Sequence, residues 1–292
     1  MKRNDSSKFP ALINANNFYD RNGILIGSNT VIVDMTEQYR ARVQLEKANE
    51  SIRHAFNVQQ EFINMAAHEL RTPIQPIFLI AEFAVNETTN QKMEWGIVIK
   101  EIKRLKQIAE DILDVSRIDS GTMLYKMDDT KINEEILEVT NAGRFRLDHD
   151  GTTKKPVNIE LRLDNNIISN SNQKEKDVVM QIDRSRITQA LSNILNNAIM
   201  FTQRGAITIE TCVLAQKKLF EIKVSDTGPG IHEDILPNLF GKFVTKNTGG
   251  EKGTGLGLYI TKSIIQAHGG DIFAYNNEGG VGATFVLRLP FN

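Results

Sequence analysis

The chain has 292 residues, 40% of them apolar, with 35 Lys+Arg against 36 Asp+Glu. That length suits two compact units and a connector, and so even a charge argues against nucleic acid or an anionic membrane as the main partner, since either needs concentrated positive surface. A single cysteine, Cys212, excludes an internal disulfide, and no long apolar run or signal-peptide core is present, so the expectation is a cytoplasmic chain with no membrane segment.

Taken in order, Phe18–Gly23 ends in an Asn-Gly turn dipeptide, and Ile24–Asp34 predicts two short strands. A hairpin of that size is marginal alone in water. With the exit Val33-Asp-Met-Thr-Glu37, these residues resemble the last strands of a PAS sensor domain, which implies a partial PAS-like segment over 1–36. From Glu37 to about Asn86 no glycine intervenes and one long helix is expected, with 37–60 as a signal-transmitting stretch. Phe56, Ile63, Ala67 and Leu70 fall on one narrow arc of it. A polar turn over 86–90 leads to a second helix, roughly 91–119. There Val98, Ile102, Leu105, Ala109, Ile112 and Ser116 alternate at four- and three-residue spacing. Two antiparallel helices cannot hide such stripes alone, and a homodimer forming a four-helix bundle is the simplest remedy. Asp119–Thr122 is a natural hinge that closes a hairpin unit spanning 61–120.

Beyond the hinge, residues 121–292 predict mixed α and β structure. Strands are expected at Leu124–Ile132 and Val157–Leu163, around a helix near Asn133–Arg144, with Asp164–Lys176 as a loop. A helix at Ser185–Phe201, strands at Ala206–Val213 and Leu219–Val224, a helix at Gly257–His268 and strands at Asp271–Tyr275 and Ala283–Leu289 follow. Cys212 reads as a small buried apolar residue. The fold class is α+β: a helical hairpin followed by a two-layer α/β sandwich.

Chemistry concentrates in two places. His68 points about 120° away from the first helix's apolar arc, so it faces solvent or another domain. A lone helical histidine is usually a surface residue without a role. Here Glu69 follows directly, able to orient the imidazole and take its proton, while Pro73 and Pro76 remove helix hydrogen bonds and predict bends just beyond. The second place is a set of polar and glycine-bearing segments between Asn193 and Leu258. Asn193 and Asn197 share a helix face, where carboxamide oxygens suit Mg²⁺ that already carries triphosphate charge. Asp226 at a strand end can accept from the amine of adenine, with Gly228 and Gly230 allowing close approach. Gly253-Thr-Gly-Leu-Gly-Leu258 opens a helix whose amides can cradle phosphates; its spacing is neither the dinucleotide fingerprint nor a P-loop. Leu239–Gly250 reads as a lid whose Lys242 and Lys246 reach toward phosphate. No Cys/His spacing suggests zinc. His232 reads as a polar helix-start residue and His268-Gly-Gly270 as a turn.

Phe62-Ile-Asn-Met-Ala-Ala-His-Glu-Leu-Arg-Thr-Pro73 resembles the phosphoacceptor box of sensor histidine kinases. That resemblance implies His68 as the autophosphorylated residue, Glu69 as its general base, and Thr72 as the hydroxyl that positions water to dephosphorylate a partner. The downstream segments resemble the asparagine, glycine and phenylalanine boxes of Bergerat-fold (GHKL) ATPases in histidine-kinase order. By that likeness Asn197 is the Mg²⁺ ligand, Asn193 its companion, and Asp226 the adenine contact. Gly253, Thr254, Gly255, Leu256 and Gly257 form the phosphate loop, and Lys242 replaces a frequent lid arginine. One departure stands out: Met200 occupies the place of a phosphate-contacting lysine. The implied function is ATP-dependent autophosphorylation and transfer to an aspartate of a response-regulator receiver domain, with possible phosphatase action. A dimeric ATP-binding scaffold or phosphatase with weak autokinase activity is the rival reading, to which Met200 lends weight, and a non-kinase ATPase of the same fold is a third.

Overall fold

The computed structural model describes residues 8–86, 91–149, 156–163, 178–245 and 254–291. The chain divides into two compact units, Met1–Met65 and Ala66–Asn292.

In the first unit, β1 (Ala11–Tyr19) pairs antiparallel with β2 (Leu25–Asp34), from Ala11 opposite Asp34 to Phe18 opposite Gly27. The stretch expected to hold two strands is therefore one. Gly27-Ser28-Asn29 lies inside β2 opposite Phe18, Asn17 and Asn16. The turn, Asp20–Ile24, contains the expected Asn22-Gly23 dipeptide. Asp20 Oδ1 accepts from the amides of Asn22 and Ile24 at 2.8 and 2.7 Å, and Gly23 takes φ 79°. Leu12, Ile13, Phe18, Ile26 and Val31 are all exposed, so the hairpin has apolar surface to cover. Helix α1 (Thr36–Asn86) then starts where Asp34 Oδ1 accepts the Thr36 amide at 2.9 Å, a capping contact on the first turn.

Helix α1 runs unbroken through Pro73 and Pro76. Each proline leaves one carbonyl of the preceding turn without its usual donor. Its fixed φ still suits a helix, though, and one lost bond per turn does not end a helix of 51 residues.

The second unit continues with α2 (Gln91–Asp119), β3 (Asp128–Lys131), α3 (Ile132–His149), β4 (Val157–Arg162), β5 (Val179–Ile182), α4 (Arg184–Phe201), β6 (Gly205–Leu214), β7 (Leu219–Asp226), α5 (Gly257–Ala267), β8 (Asp271–Asn276) and β9 (Ala283–Pro290). The main sheet has the order β4-β6-β7-β9-β8, parallel only between β4 and β6. A second sheet pairs β3 with β5, a strand that the sequence reading missed. Its four residues are too few for a period-two pattern to show. Likewise Leu124–Met127 stay outside any strand and only Asp128–Lys131 pair.

Alternation along the central strands sets the core. Phe220, Ile222, Val224 and Asp226 on β7 share one face, and Ile222 lies opposite Leu287 and Thr211. Ile194, Ile260, Ile264, Ile207 and Leu287 are fully buried with them, each contributing on the order of 2 kcal/mol through burial. Helix α4 meets this core with Ile187, Ala190, Leu191, Ile194, Leu195 and Ala198, and Asp183 caps it by accepting from the Arg186 amide at 3.1 Å. Cys212 sits on the opposite, outward register of β6 and is half-buried, a correction to the buried reading. At the sheet rim on β4, Arg162 bonds Glu160 and Glu210 at 2.9 and 3.0 Å.

Candidate phosphoacceptor and nucleotide sites

His68 lies on α1 with its side chain 64% exposed, as its helical angle predicts. Glu69 Oε1 stands 3.5 Å from its Nδ1, so that nitrogen faces the carboxylate and Nε2 faces outward. Glu69 itself is buried at 7% exposure. Its second oxygen lies 3.5 Å from a guanidinium nitrogen of Arg104 on α2. A carboxylate removed from water needs a cation nearby, and Arg104 supplies it across the hairpin. That partner was not foreseen. Thr72 Oγ1 donates to the carbonyl of His68 at 3.0 Å, which keeps its hydroxyl within one turn of the imidazole.

The apolar stripe of α2 is left largely uncovered within the single chain, as expected for a hairpin that cannot hide it alone. Val98 is buried, but Ile102 and Ala109 are exposed. The buried face instead carries Ile108, Asp111, Asp114 and Val115. Ile74, Phe78, Ile99 and Ile102 remain as exposed apolar surface on the hairpin.

The nucleotide-type residues gather around the ends of α4, β7 and α5. Asp226 closes β7 on its core-facing side and is 6% exposed. Burial holds its carboxyl above the ordinary 3.8, partly offset by backbone donors. Those donors, Gly228 N–H at 2.8 Å and Ala283 N–H at 3.4 Å, both reach Oδ1. Oδ2 accepts no hydrogen bond among the described residues. A Cβ on Gly228 would come within 2.9 Å of that Oδ1, and one on Gly230, at φ 76°, within 2.9 Å of Asn276 Oδ1. Both glycines are therefore required by close approach.

Three residues that the sequence reading passed over hold this corner. Asn276 exchanges hydrogen bonds with the backbone of Ile231, at 2.6 and 2.8 Å. Asn277 Nδ2 donates to the Asp226 carbonyl at 3.0 Å and its Oδ1 accepts from Thr284 Oγ1 at 2.6 Å. Their signal was the Asn276-Asn-Glu-Gly-Gly280 turn, which looks like any hairpin connection. Gly282, at φ 85°, passes so close that an added Cβ would sit 1.8 Å from the Asp226 carbonyl oxygen. Gly282→Ala is expected to destabilise this unit by about 3 kcal/mol or more in urea unfolding. Gly280→Ala, also at positive φ but with open space around it, loses only about 1 kcal/mol, which separates the clash from backbone strain.

Asn193 Nδ2 donates to the Gly257 carbonyl at 3.2 Å and approaches Thr261 Oγ1 at 3.4 Å, tying α4 to the start of α5. Asn197, one turn on, has no side-chain hydrogen bond among the described residues and is half-buried, which suits a ligand role. Helix α5 begins at Gly257 without a side-chain cap, so its first amides are open to an anion. Leu256 is buried beneath them. Gly255, at φ 67°, packs on the backbone of Phe243, whose N–H donates to the Gly255 carbonyl at 3.0 Å. Thr254 Oγ1 accepts from the Leu256 amide at 3.3 Å. Lys242 Nζ is held by Asp119 of α2 at 2.6 Å. Gly253 and Lys246, also expected here, lie outside the described residues, as does all of the expected lid beyond Thr245.

His268 lies in the expected turn and caps α5, and it is also buried: its Nε2 accepts the Asp183 amide over 2.9 Å and its Nδ1 lies 2.7 Å from the Ile264 carbonyl. It ties the end of α5 to the cap of α4. His232 starts no regular α-helix and pairs with Asp234 at 3.0 Å. A cavity of about 540 Å³ opens at the C-terminal end of α2, lined by Ile118, Tyr125, Phe240 and Tyr259 but by neither Asp226 nor Asn197. It is not the nucleotide corner.

Known proteins place these features in one context. The family described as His Kinase A (phospho-acceptor) domain matches residues 58–121. Histidine kinase-, DNA gyrase B-, and HSP90-like ATPase matches residues 182–292. The sensor histidine kinase WalK of Bacillus subtilis is 30% identical over 280 residues, which cover 92% of this chain and 40% of that protein. The chain spans less than half the length of the curated relatives it matches first. Among solved structures, the Acinetobacter baumannii histidine kinase AdeS superposes with TM-score 0.59 at 24% identity, covering 77% of this chain and 98% of that one. Histidine kinase ThkA, in complex with response regulator protein TrrA, gives TM-score 0.58 at 24% identity over 96% of this chain and 75% of that one. Both likenesses speak to the fold. No helix among the described residues is long and apolar enough to cross a membrane. With a phosphoacceptor-type hairpin followed by a Bergerat-type sandwich, each matched in order along the chain, this protein belongs to the sensor histidine kinases of two-component systems.

Proposed function

We propose that this chain binds ATP between α4, Asp226 and the start of α5, and phosphorylates its own His68. The single observation that carries this reading is an exposed imidazole backed by a buried carboxylate, on the same chain as an adenine-type aspartate and an uncapped glycine-rich helix start. In the step, the lone pair of His68 Nε2 attacks the γ-phosphorus in line as the bond to the β-phosphate oxygen breaks. The proton on Nδ1 passes toward Glu69, 3.5 Å away, while Arg104 balances the carboxylate. Asp226 Oδ2 accepts from the exocyclic amine of adenine. Asn197 would hold Mg²⁺, which would screen the triphosphate charge, and Asn193 holds α5 in place beside it.

The phosphoryl group then passes to an aspartate of a receiver domain that docks on the hairpin beside His68, and Thr72 serves the reverse, dephosphorylating step. Ile74, Phe78, Ile99 and Ile102 support pairing of two hairpins into a four-helix bundle. Residues 1–36 form the end of a PAS-like sensor, 37–60 transmit its signal, 61–120 carry phosphotransfer and 121–292 carry catalysis, in the cytoplasm where ATP is available. Met200 favours a second reading, a dimeric nucleotide-binding scaffold or phosphatase with weak autokinase activity. Incubation with γ-labelled ATP tests the choice. Label that is lost in acid and stable in alkali supports the kinase. ATP hydrolysis without stable label points to a plain ATPase, and nucleotide binding with neither points to the scaffold.

A further inference from the structure

The face that α2 turns toward α5 carries carboxylates that hold the groups assigned above to triphosphate. Asp119 lies 2.7 and 2.6 Å from Lys242 Nζ through its two oxygens, and its Oδ1 also accepts from Tyr259 OH at 2.8 Å. The ammonium is 4.9 Å from the centre of the Tyr259 ring, so cation and phenol form one cluster around the carboxylate. Farther back on α2, Asp111 Oδ2 accepts from Thr254 Oγ1 at 3.3 Å. Asp114, between them, is committed elsewhere: Arg186 and Gln189 of α4 bind it at 2.8 and 2.9 Å. That pair fixes α2 against the sandwich, whereas Asp111 and Asp119 reach the phosphate loop itself.

Lys242 and Thr254 are neighbours across the loop. Gly255 follows Thr254, Phe243 follows Lys242, and the backbones of Gly255 and Phe243 meet through a hydrogen bond of 3.0 Å. Both polar arms of this joint thus end on an α2 carboxylate. A carboxylate and a phosphate oxygen present the same chemistry to an ammonium and a hydroxyl, namely a charged acceptor at hydrogen-bond distance. One ammonium cannot give its full complement of bonds to both anions at once. Met200, standing where a phosphate-contacting lysine is expected, places that demand on Lys242.

We propose that Asp119, assisted by Asp111, is an internal stand-in for nucleotide phosphate. It holds Lys242, Tyr259 and Thr254 in the nucleotide-free chain, and ATP binds by displacing it. The exchange unfastens α5 and the phosphate loop from the C-terminal end of α2, next to the hinge at Ser120–Thr122. Loading the nucleotide and loosening the phosphate loop from α2 are then one event, while the Asp114 pairing still ties α2 to α4. This rests on the reading of Lys242 and residues 254–257 as the phosphate-binding set.

Titration of the full chain with Mg²⁺ and a non-hydrolysable ATP analogue tests it. Asp119→Asn keeps the size of the side chain and removes the competing charge, so its Kd is expected to fall about three- to tenfold. Lys242→Gln weakens binding, and in that background Asp119→Asn brings no further gain, because the two residues act through each other. Tyr259→Phe, which loosens Asp119 without touching the lysine, tightens binding by a smaller factor. Limited proteolysis reads the second half: cleavage at residues 120–122 rises with the analogue in wild type, and is already high without it in Asp119→Asn. Unchanged or weaker analogue binding by Asp119→Asn and Tyr259→Phe, in a chain whose wild type binds the analogue, overturns the exchange and leaves the proposed function standing. A wild type that binds no analogue overturns both.

Discussion

His68→Gln is expected to retain analogue binding within about twofold of wild type and to lose all acid-labile label, a fall below the detection of γ-phosphate incorporation. The argument is positional. The ring is largely exposed, Glu69 faces only Nδ1, and the hydrogen bonds that shape the nucleotide corner come from α4, β7, β9 and α5, none of which His68 touches. A glutamine amide has no lone pair basic enough to attack phosphorus, yet it fits an exposed helix position at almost no cost in stability. Residual label at the wild-type level would place phosphorylation on another residue. Loss of binding together with label would mean that the variant had disturbed the fold.

Asp226→Asn is expected to act at the other end of the same reaction. Its two backbone donors both reach Oδ1, an atom that asparagine also offers, so the corner can be kept. What changes is Oδ2, which becomes a donor facing the donor amine of adenine. Losing a charge-assisted bond of about 2–3 kcal/mol corresponds to roughly 30- to 150-fold in Kd. The nucleotide-free variant should be at least as stable as wild type at pH 7. Burial raises the Asp226 carboxyl above 3.8, so the folded state binds its proton more tightly than the unfolded chain does. Stability due to this group is therefore full below 3.8 and lost as pH rises through the raised value. Asparagine removes that loss. Thermal melts at pH 7 should show the variant equal or higher, with its advantage shrinking as pH falls toward 3.8. A markedly lower melting point at pH 7 would show the charge to be stabilising.

How much of this was legible in the sequence follows from the range of the signals. The phosphoacceptor segment was readable because its chemistry is local: His68, Glu69 and Thr72 lie within two turns of one helix, and helical periodicity alone placed the imidazole outward. The paired asparagines and the Asp226 corner carried a similar local mark, since glycines flag close backbone approaches, and at Gly228, Gly230 and Gly255 the close neighbours are the chain's own Asp226, Asn276 and Phe243. Arg104 was not legible, because it meets Glu69 from 35 residues away on another helix. Asp111 and Asp119 were invisible for the same reason, reaching partners 143 and 123 residues on. On a helical wheel they look like solvated acids. Asn277 was missed because a turn asparagine ordinarily bonds its own loop, whereas this one reaches back to the Asp226 carbonyl. The prolines interrupt hydrogen bonds without ending the helix, which stays one element from Thr36 to Asn86 as the glycine-free pattern predicts.

The charged rim at β4 has a consequence if two copies pair as proposed. A sheet border with no neighbouring strand presents unpaired amides and carbonyls to any strand nearby, and pairing of two copies would raise the local concentration of such borders. Arg162, bound to Glu160 and Glu210, sets a fixed row of hydrated charge along that border, which a foreign strand would have to strip of water before it could add on. The same few residues that contribute little to holding the sheet together thereby keep one copy's sheet from growing into its neighbour's.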